Sequence, residues 1–156
     1  MRDMKKTHRC PLYPVPLRLA ALCLAIAAPV ALAAQGVAGT VWSTVYSPDQ
    51  AARGKVVYEA KCVVCHGATL TGGDSAPPLA GAKFLNNWNS TSAGDLFERI
   101  QTTMPVTAPG TLSGAQVAAV EAYILQTNHF PAGDKPLPPV AAALAGIKIT
   151  AQRPAD

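Results

Sequence analysis

Five consecutive residues, Cys62-Val63-Val64-Cys65-His66, limit what this chain can become more than any other stretch of its 156 residues. On a helical turn, side chains at i and i+3 face the same side, and the residue at i+4 lies on that face one step further on. Two thiols and an imidazole are thereby offered together. Four chemistries use such a set. A thioredoxin-like redox pair shares the Cys-x-x-Cys spacing but needs a strand-rich domain around it. A zinc site could draw on Cys62, Cys65, His66 and His129, although adjacent positions 65 and 66 are awkward to direct at one tetrahedral ion. A disulfide between Cys62 and Cys65 would close a very small loop and stabilise little. The fourth is covalent attachment of a c-type haem, in which each thiol adds to one vinyl group of the porphyrin and the histidine is carried beneath the iron.

What precedes the motif bears on the choice. Arg2, Lys5, Lys6, Arg9 and Arg18 stand against a single Asp3, and from Leu19 to Ala34 there is no charge. A basic start, an apolar stretch and the small-residue run Ala31-Leu32-Ala33 are the layout of a secretory signal peptide, expected to span 1–34 and to be cleaved after Ala33 or Ala34. The apolar stretch is shorter than the roughly 20 residues a spanning helix needs, so no stable membrane insertion is expected. Export points to a bacterial periplasm. The whole chain has 13 Lys+Arg against 9 Asp+Glu, yet the part after the signal carries eight of each sign. A basic surface for nucleic acid is therefore excluded as a guiding idea. Cys10, Cys23, His8, Met1 and Met4 leave with the signal, and the soft ligands that remain are Cys62, Cys65, His66, His129 and Met104. An iron bound by His66 needs a sixth ligand from elsewhere, and Met104 is the only methionine left. A mature chain of about 120 residues accommodates one small domain.

The organisation reads as helical. Residues 35–46 are small and polar, a loose lead-in. Ser47-Pro48-Asp49 supplies an N-cap, a proline for the first helical position and a first-turn acid, predicting a helix to about Lys61. Gly54 within it costs about 1 kcal/mol relative to Ala, which implies a close backbone contact. Residues 67–81, rich in Gly, Ser and Pro, predict an ordered irregular loop. Ser92 or Thr91 caps a second helix ending at Thr103, with Leu96, Phe97 and Ile100 on its apolar face and Pro105 just past Met104. Ser113 caps a third to about Thr127, with Val117, Val120, Tyr123 and Ile124 inward. Residues 131–156 hold five prolines and an uncharged Ala-rich run, and read as an extended tail with one helical turn at 141–144. No strand pattern stands out. With an export signal ahead of the motif and a lone methionine behind it, the haem reading is preferred.

On these residues the chain resembles the monohaem class I c-type cytochromes over about 50–130. The features are Gly54-Lys55-Val56-Val57-Tyr58, Cys62 to His66, Pro77-Pro78-Leu79-Ala80-Gly81, Thr103-Met104-Pro105 and Val120-Glu121-Ala122-Tyr123. The resemblance implies an all-α class I cytochrome c fold, with three main helices around one covalently attached haem c in a domain at 47–130 and a Pro-rich tail behind it. It implies that the first and last helices cross at Gly54 beside Tyr58 and Tyr123, that Pro77 lends its carbonyl to the His66 ring, that Leu79 packs on the haem face, and that Met104 is the axial ligand. Phe84, Trp88, Asp95-Leu96-Phe97, Gly110-x-Leu112-Ser113 and Asn128-x-Phe130-Pro131 are, more narrowly, similar to cytochrome domains associated with quinoprotein alcohol dehydrogenases. That likeness implies an electron acceptor or subunit without dehydrogenase activity of its own.

Bland readings accompany several of these residues. Met104 could be core packing. His129, beyond the third helix, is a rival sixth ligand or a solvated terminal histidine. Trp88 either donates its indole hydrogen to a haem propionate or fills the core, and Lys61 and Lys83 either steer an acidic partner or are merely solvated. The expectation is a periplasmic electron carrier of a respiratory chain, not an enzyme. Its partners would be redox proteins: a dehydrogenase as donor, an oxidase or another cytochrome as acceptor. The competing expectation is a haem protein with an open sixth position, acting as a peroxidase or gas sensor.

Overall fold

Ser47 begins the first helix as its sequence predicts. Its hydroxyl accepts a hydrogen bond from the Gln50 N–H at 3.3 Å, and Pro48, with no N–H to satisfy, takes the first position of α1 (Pro48–Lys61). The computed structural model describes residues 38–155; the expected signal peptide at 1–34, with Cys10 and Cys23, lies outside the described residues, as does the start of the lead-in. After α1 come α2 (Val63–His66), α3 (Ala82–Trp88), α4 (Ala93–Thr103), α5 (Gly114–Thr127) and α6 (Ala141–Leu144). Two-residue strands, β1 (Gly39–Thr40) and β2 (Ile147–Lys148), pair in parallel.

The three long helices are α1, α4 and α5. Capping boxes close the N-termini of two of them: Ser92 with Asp95 for α4, and Ser113 with Gln116 for α5, each side chain satisfying the other residue's backbone N–H. Leu96, Phe97 and Ile100 of α4 are buried, as are Val117, Val120 and Ile124 of α5. A Cβ on Gly54 would overlap the Ala119 carbonyl oxygen and lie 3.0 Å from the Val120 nitrogen. Only glycine lets α1 and α5 touch backbone to backbone there. Just beyond the contact, Tyr58 and Tyr123 meet edge to face, ring centroids 5.5 Å apart at 61°. Among the described residues the fold is all-α apart from that parallel pair and two isolated bridges, Gly73 with Ala76 and Ser92 with Lys148.

The sequence reading did not anticipate α3. Its N-cap is Gly81, which has no side chain to announce a helix, and Phe84 anchors it in the core.

The two ends of the described chain depart further from expectation. Residues 35–46 were expected to be loose, yet Val41, Val45 and Tyr46 are buried. Residues 131–156 were expected to trail as an extended tail, yet Leu137, Leu144, Ile147 and Ile149 are buried to within 2% of full exclusion from solvent. The two segments hold each other. Gly39 donates its N–H to Gly146 and Val41 to Lys148, while Ile149 and Ser90/Thr91 exchange backbone hydrogen bonds on the other side at 2.8 and 2.9 Å. The Trp42 indole donates to the Thr150 carbonyl at 3.1 Å and packs edge-on against Phe130. The Tyr46 hydroxyl donates to the Phe130 carbonyl, and the Gln50 amide both donates to and accepts from the Leu137 backbone. The expected helical turn at 141–144 is α6, which rests on α4 at Gly94. Residues 131–150 therefore form a strap across the helices. An apolar side chain gains the same burial from a strap as from a helix face, and prolines that cannot extend a helix are compatible with such an irregular path.

One buried carboxyl group has no counterpart. Glu121 of α5 is fully buried, neither carboxyl oxygen has a hydrogen-bond partner among the described residues, and burial pushes its pKa well above the ordinary 4.5. It shares a helical stripe with Gly114, Ala118 and Leu125. A Cβ on Gly114 would overlap the Pro139 carbonyl, so the strap runs along the start of that stripe.

Candidate haem-binding site

Cys62 is the hinge of the site. It ends α1, its N–H donating to the Tyr58 carbonyl at 2.8 Å, and it also caps α2, its carbonyl accepting from the N–H groups of Cys65 and His66 at 3.2 and 3.0 Å. Gly67, at φ 78°, stops the turn immediately after His66. Cys62, Cys65 and His66 therefore ride one helical turn, as their spacing requires. Both cysteines are free thiols, Cys62 half-buried and Cys65 exposed. Burial, with Cys65 as a lesser cause, pushes the Cys62 thiol up to about 11. A redox-active pair of the thioredoxin kind needs a strand-rich domain around it, and the described residues include none, so that reading loses its support. Nor does any group of three or more His, Cys, Asp or Glu come together as a metal site among the described residues, which leaves the zinc set unassembled.

His66 is buried, and its Nδ1 lies 2.9 Å from the Pro77 carbonyl oxygen. A carbonyl can only accept, so Nδ1 carries the hydrogen and Nε2 keeps its lone pair. The loop that brings Pro77 there is tightly tied. Gly72 donates to the His66 carbonyl at 2.9 Å, and the N–H groups of Leu79 and Ala80 both donate to the Leu70 carbonyl, at 2.8 and 3.1 Å. Gly72 has φ 74°, and a Cβ there would lie 2.6 Å from the Pro78 nitrogen and 2.7 Å from the Ala76 oxygen. The chain can pass beneath Pro77-Pro78 only as glycine. The Tyr58 hydroxyl donates to the Gly67 carbonyl at 2.6 Å, and its burial pushes the phenol up to about 12, so it remains a donor across the physiological range.

Four apolar side chains expected at the site are half-buried. Val63, Leu79, Trp88 and Met104 all pack against the core while remaining partly uncovered. Met104 caps the C-terminus of α4, its N–H donating to the Ile100 carbonyl at 3.0 Å. Trp88 ends α3, its ring 6.2 Å from that of Phe84. His129 is exposed, just past α5 at φ 62°, and Lys61 and Lys83 are exposed as well. Two thiols at i and i+3, an imidazole with a free Nε2, and a thioether at the edge of the apolar core form a donor set that fits haem c.

One residue of this region escaped the sequence reading. Asn128, the C-cap of α5, is buried, and its side-chain amide donates to the carbonyls of Leu79 and Ile124 at 2.9 Å each while accepting from the Gly81 N–H at 3.0 Å. Its only signal was membership of Asn128-x-Phe130-Pro131, which named no contact.

Comparison with known proteins agrees with this chemistry. Residues 49–124, just under half the chain, match the family model described as cytochrome C oxidase, cbb3-type, subunit III. The matched stretch contains Cys62 to His66, Pro77, Leu79, Trp88 and Met104. A solved structure, the sulfane dehydrogenase SoxCD from Paracoccus pantotrophus, aligns at a TM-score of 0.48 and 22% identity over 69% of this chain and 61% of that one. This chain thus spans about three-fifths of the chain it matches there. No curated protein matches the sequence. The described helices are consistent with a class I cytochrome c fold.

Proposed function

We propose that this chain carries single electrons on one haem attached through Cys62 and Cys65, with His66 and Met104 as axial ligands. It works in the periplasm as the electron acceptor or a subunit of a dehydrogenase, in the manner of the cytochrome domains that accompany quinoprotein alcohol dehydrogenases, and passes electrons to an oxidase or another cytochrome. The observation that carries this reading is the Nδ1-to-Pro77 hydrogen bond of a buried histidine on the same turn as two free thiols.

When bound, the haem supplies the Fe(III)/Fe(II) couple. The chain's residues do the rest. Pro77 fixes the ring of His66 and makes Nε2 a stronger donor. The Met104 thioether, a soft ligand, favours the reduced metal and so a higher potential. Leu79, Val63 and Trp88 exclude water from the site, which lowers the local dielectric and limits reorganisation around a charge change. With His66 and Met104 both holding the iron, no position would be left open for the ligands of a peroxidase or gas sensor. No described helix is long and apolar enough to cross a membrane.

The test is expression with the haem-attachment machinery, export, and mass spectrometry of the denatured product. The expected mass is that of the polypeptide plus one haem, retained through acid extraction and held by a single thioether in Cys62→Ala. A bare polypeptide mass would refute the reading.

A further inference from the structure

We infer that Asn128 is a positioning residue that holds the Pro77 carbonyl against the ring of His66; this rests on the haem reading above. The geometry leaves little freedom in how Asn128 is oriented. Gly81 offers an N–H, so the oxygen of the amide must face it, and the carbonyls of Leu79 and Ile124 require the amide nitrogen. The side chain therefore ties both sides of Ala80 to the end of α5, at 2.9 to 3.0 Å. That helix is itself fixed to α1 by the backbone contact at Gly54.

From Leu79 the connection to the histidine is short and stiff. Pro78 and Pro77 intervene, and both have φ locked by their rings. Pro77 then accepts from Nδ1 of His66. The other restraint on this end of the loop is the Leu70 carbonyl, which takes the N–H groups of Leu79 and Ala80 from the opposite side. With Asn128 removed, the Leu79 carbonyl and the Gly81 N–H lose their partners, and the C-terminal side of the segment carrying Pro77 is held by Leu70 alone, while Gly73 still bonds the Ala76 carbonyl on the other side. The Nδ1–H···O bond then lengthens or opens more often. Since that bond increases donation from Nε2 and donation favours Fe(III), loosening it raises the reduction potential.

A plain capping role would be simpler, because Asn128 also bonds the Ile124 carbonyl of its own helix. The experiment separates the two on haem-loaded full-length protein, comparing Asn128→Ala and the nearly isosteric Asn128→Leu with Ser113→Ala. The last weakens α5 at its other cap without touching residues 77–81. Two quantities are read: exchange of the His66 Nδ1–H with solvent by NMR, and the midpoint potential. Both Asn128 variants should speed the exchange at least tenfold and raise the potential, whereas Ser113→Ala should lower thermal stability and move neither. If Asn128→Ala fails to accumulate, Asn128→Leu, which retains the volume but none of the three bonds, gives the same reading. Exchange and potential in the Asn128 variants equal to those of Ser113→Ala would overturn the inference. Absence of covalent haem from the wild type would instead strike the electron-carrier reading, before any variant is compared.

Discussion

Replacing Gly94 by Ala tests the strap by the sign of its effect. Gly94 is the second residue of α4 and is buried beneath α6. An alanine Cβ there would lie 2.7 Å from the Ala141 carbonyl oxygen, 3.0 Å from the Ala145 nitrogen and 3.1 Å from the Ala145 Cα. Ordinary contact begins near 3.4 Å, so α6 would have to retreat by roughly 0.7 Å from a close-packed neighbour. A gap of that order forfeits about a quarter to a half of the dispersion energy of each contact it opens, and Leu144, at 0% exposure, is carried on the same turn. Overpacking of this kind costs about 1–3 kcal/mol. Against it stands the helix preference of Ala over Gly, about 1 kcal/mol in a helix interior, together with the smaller entropy of the unfolded chain. The steric cost wins, leaving a net loss of up to about 2 kcal/mol. In a domain of this size each kcal/mol moves the midpoint by about 3–6 °C. Were residues 131–156 a free tail, the same substitution would only stabilise. Thermal and guanidinium unfolding of haem-loaded protein decide it: a fall in midpoint is expected, and a rise would show that α6 does not rest on α4.

Truncation after Pro136 removes Leu137, Leu144, Ile147 and Ile149, each fully buried side chain worth about 1.5–3 kcal/mol, against a whole-domain stability of about 5–15 kcal/mol; a single cooperative unfolding transition should disappear, and its survival would count against the strap as core. Glu121, held neutral by burial, binds its proton more tightly folded than unfolded, so stability should fall as pH rises from about 4.5 towards the raised folded value. Glu121→Leu should flatten that slope and be more stable at neutral pH, as measured by denaturation at several pH values; Asp95, whose pKa is lowered by its bonds to Ser92, acts in the opposite direction and below its ordinary 3.8. Met104→Ala should lower the midpoint potential and newly admit carbon monoxide to the reduced protein, because Met104 is the only methionine among the described residues; an unchanged potential would make Met104 core packing only.

The sequence alone determined what acts over a few residues. Ser47, Ser92 and Ser113 each mark a helix start because a capping side chain bonds an N–H only three positions away. Cys62, Cys65 and His66 share a face because one helical turn puts them there, and Gly54 announced a close contact because nothing local rewards a glycine in mid-helix. Tertiary structure decided what depends on distant partners. The Trp42 indole finds its acceptor 108 residues away at Thr150, and β1 and β2 are two residues each, too short to impose an alternation that a sequence reader could detect. Asn128 has the same amide whether it caps a helix or clamps a loop, and only the approach of Leu79 and Gly81 shows that it does both. Glu121 reads as an ordinary surface acid because charged residues are seldom buried, and its protonation follows from the packing around α5. Capping and periodicity are local couplings written in neighbouring residues, whereas burial belongs to the whole chain once the lead-in and the strap have closed over the helices.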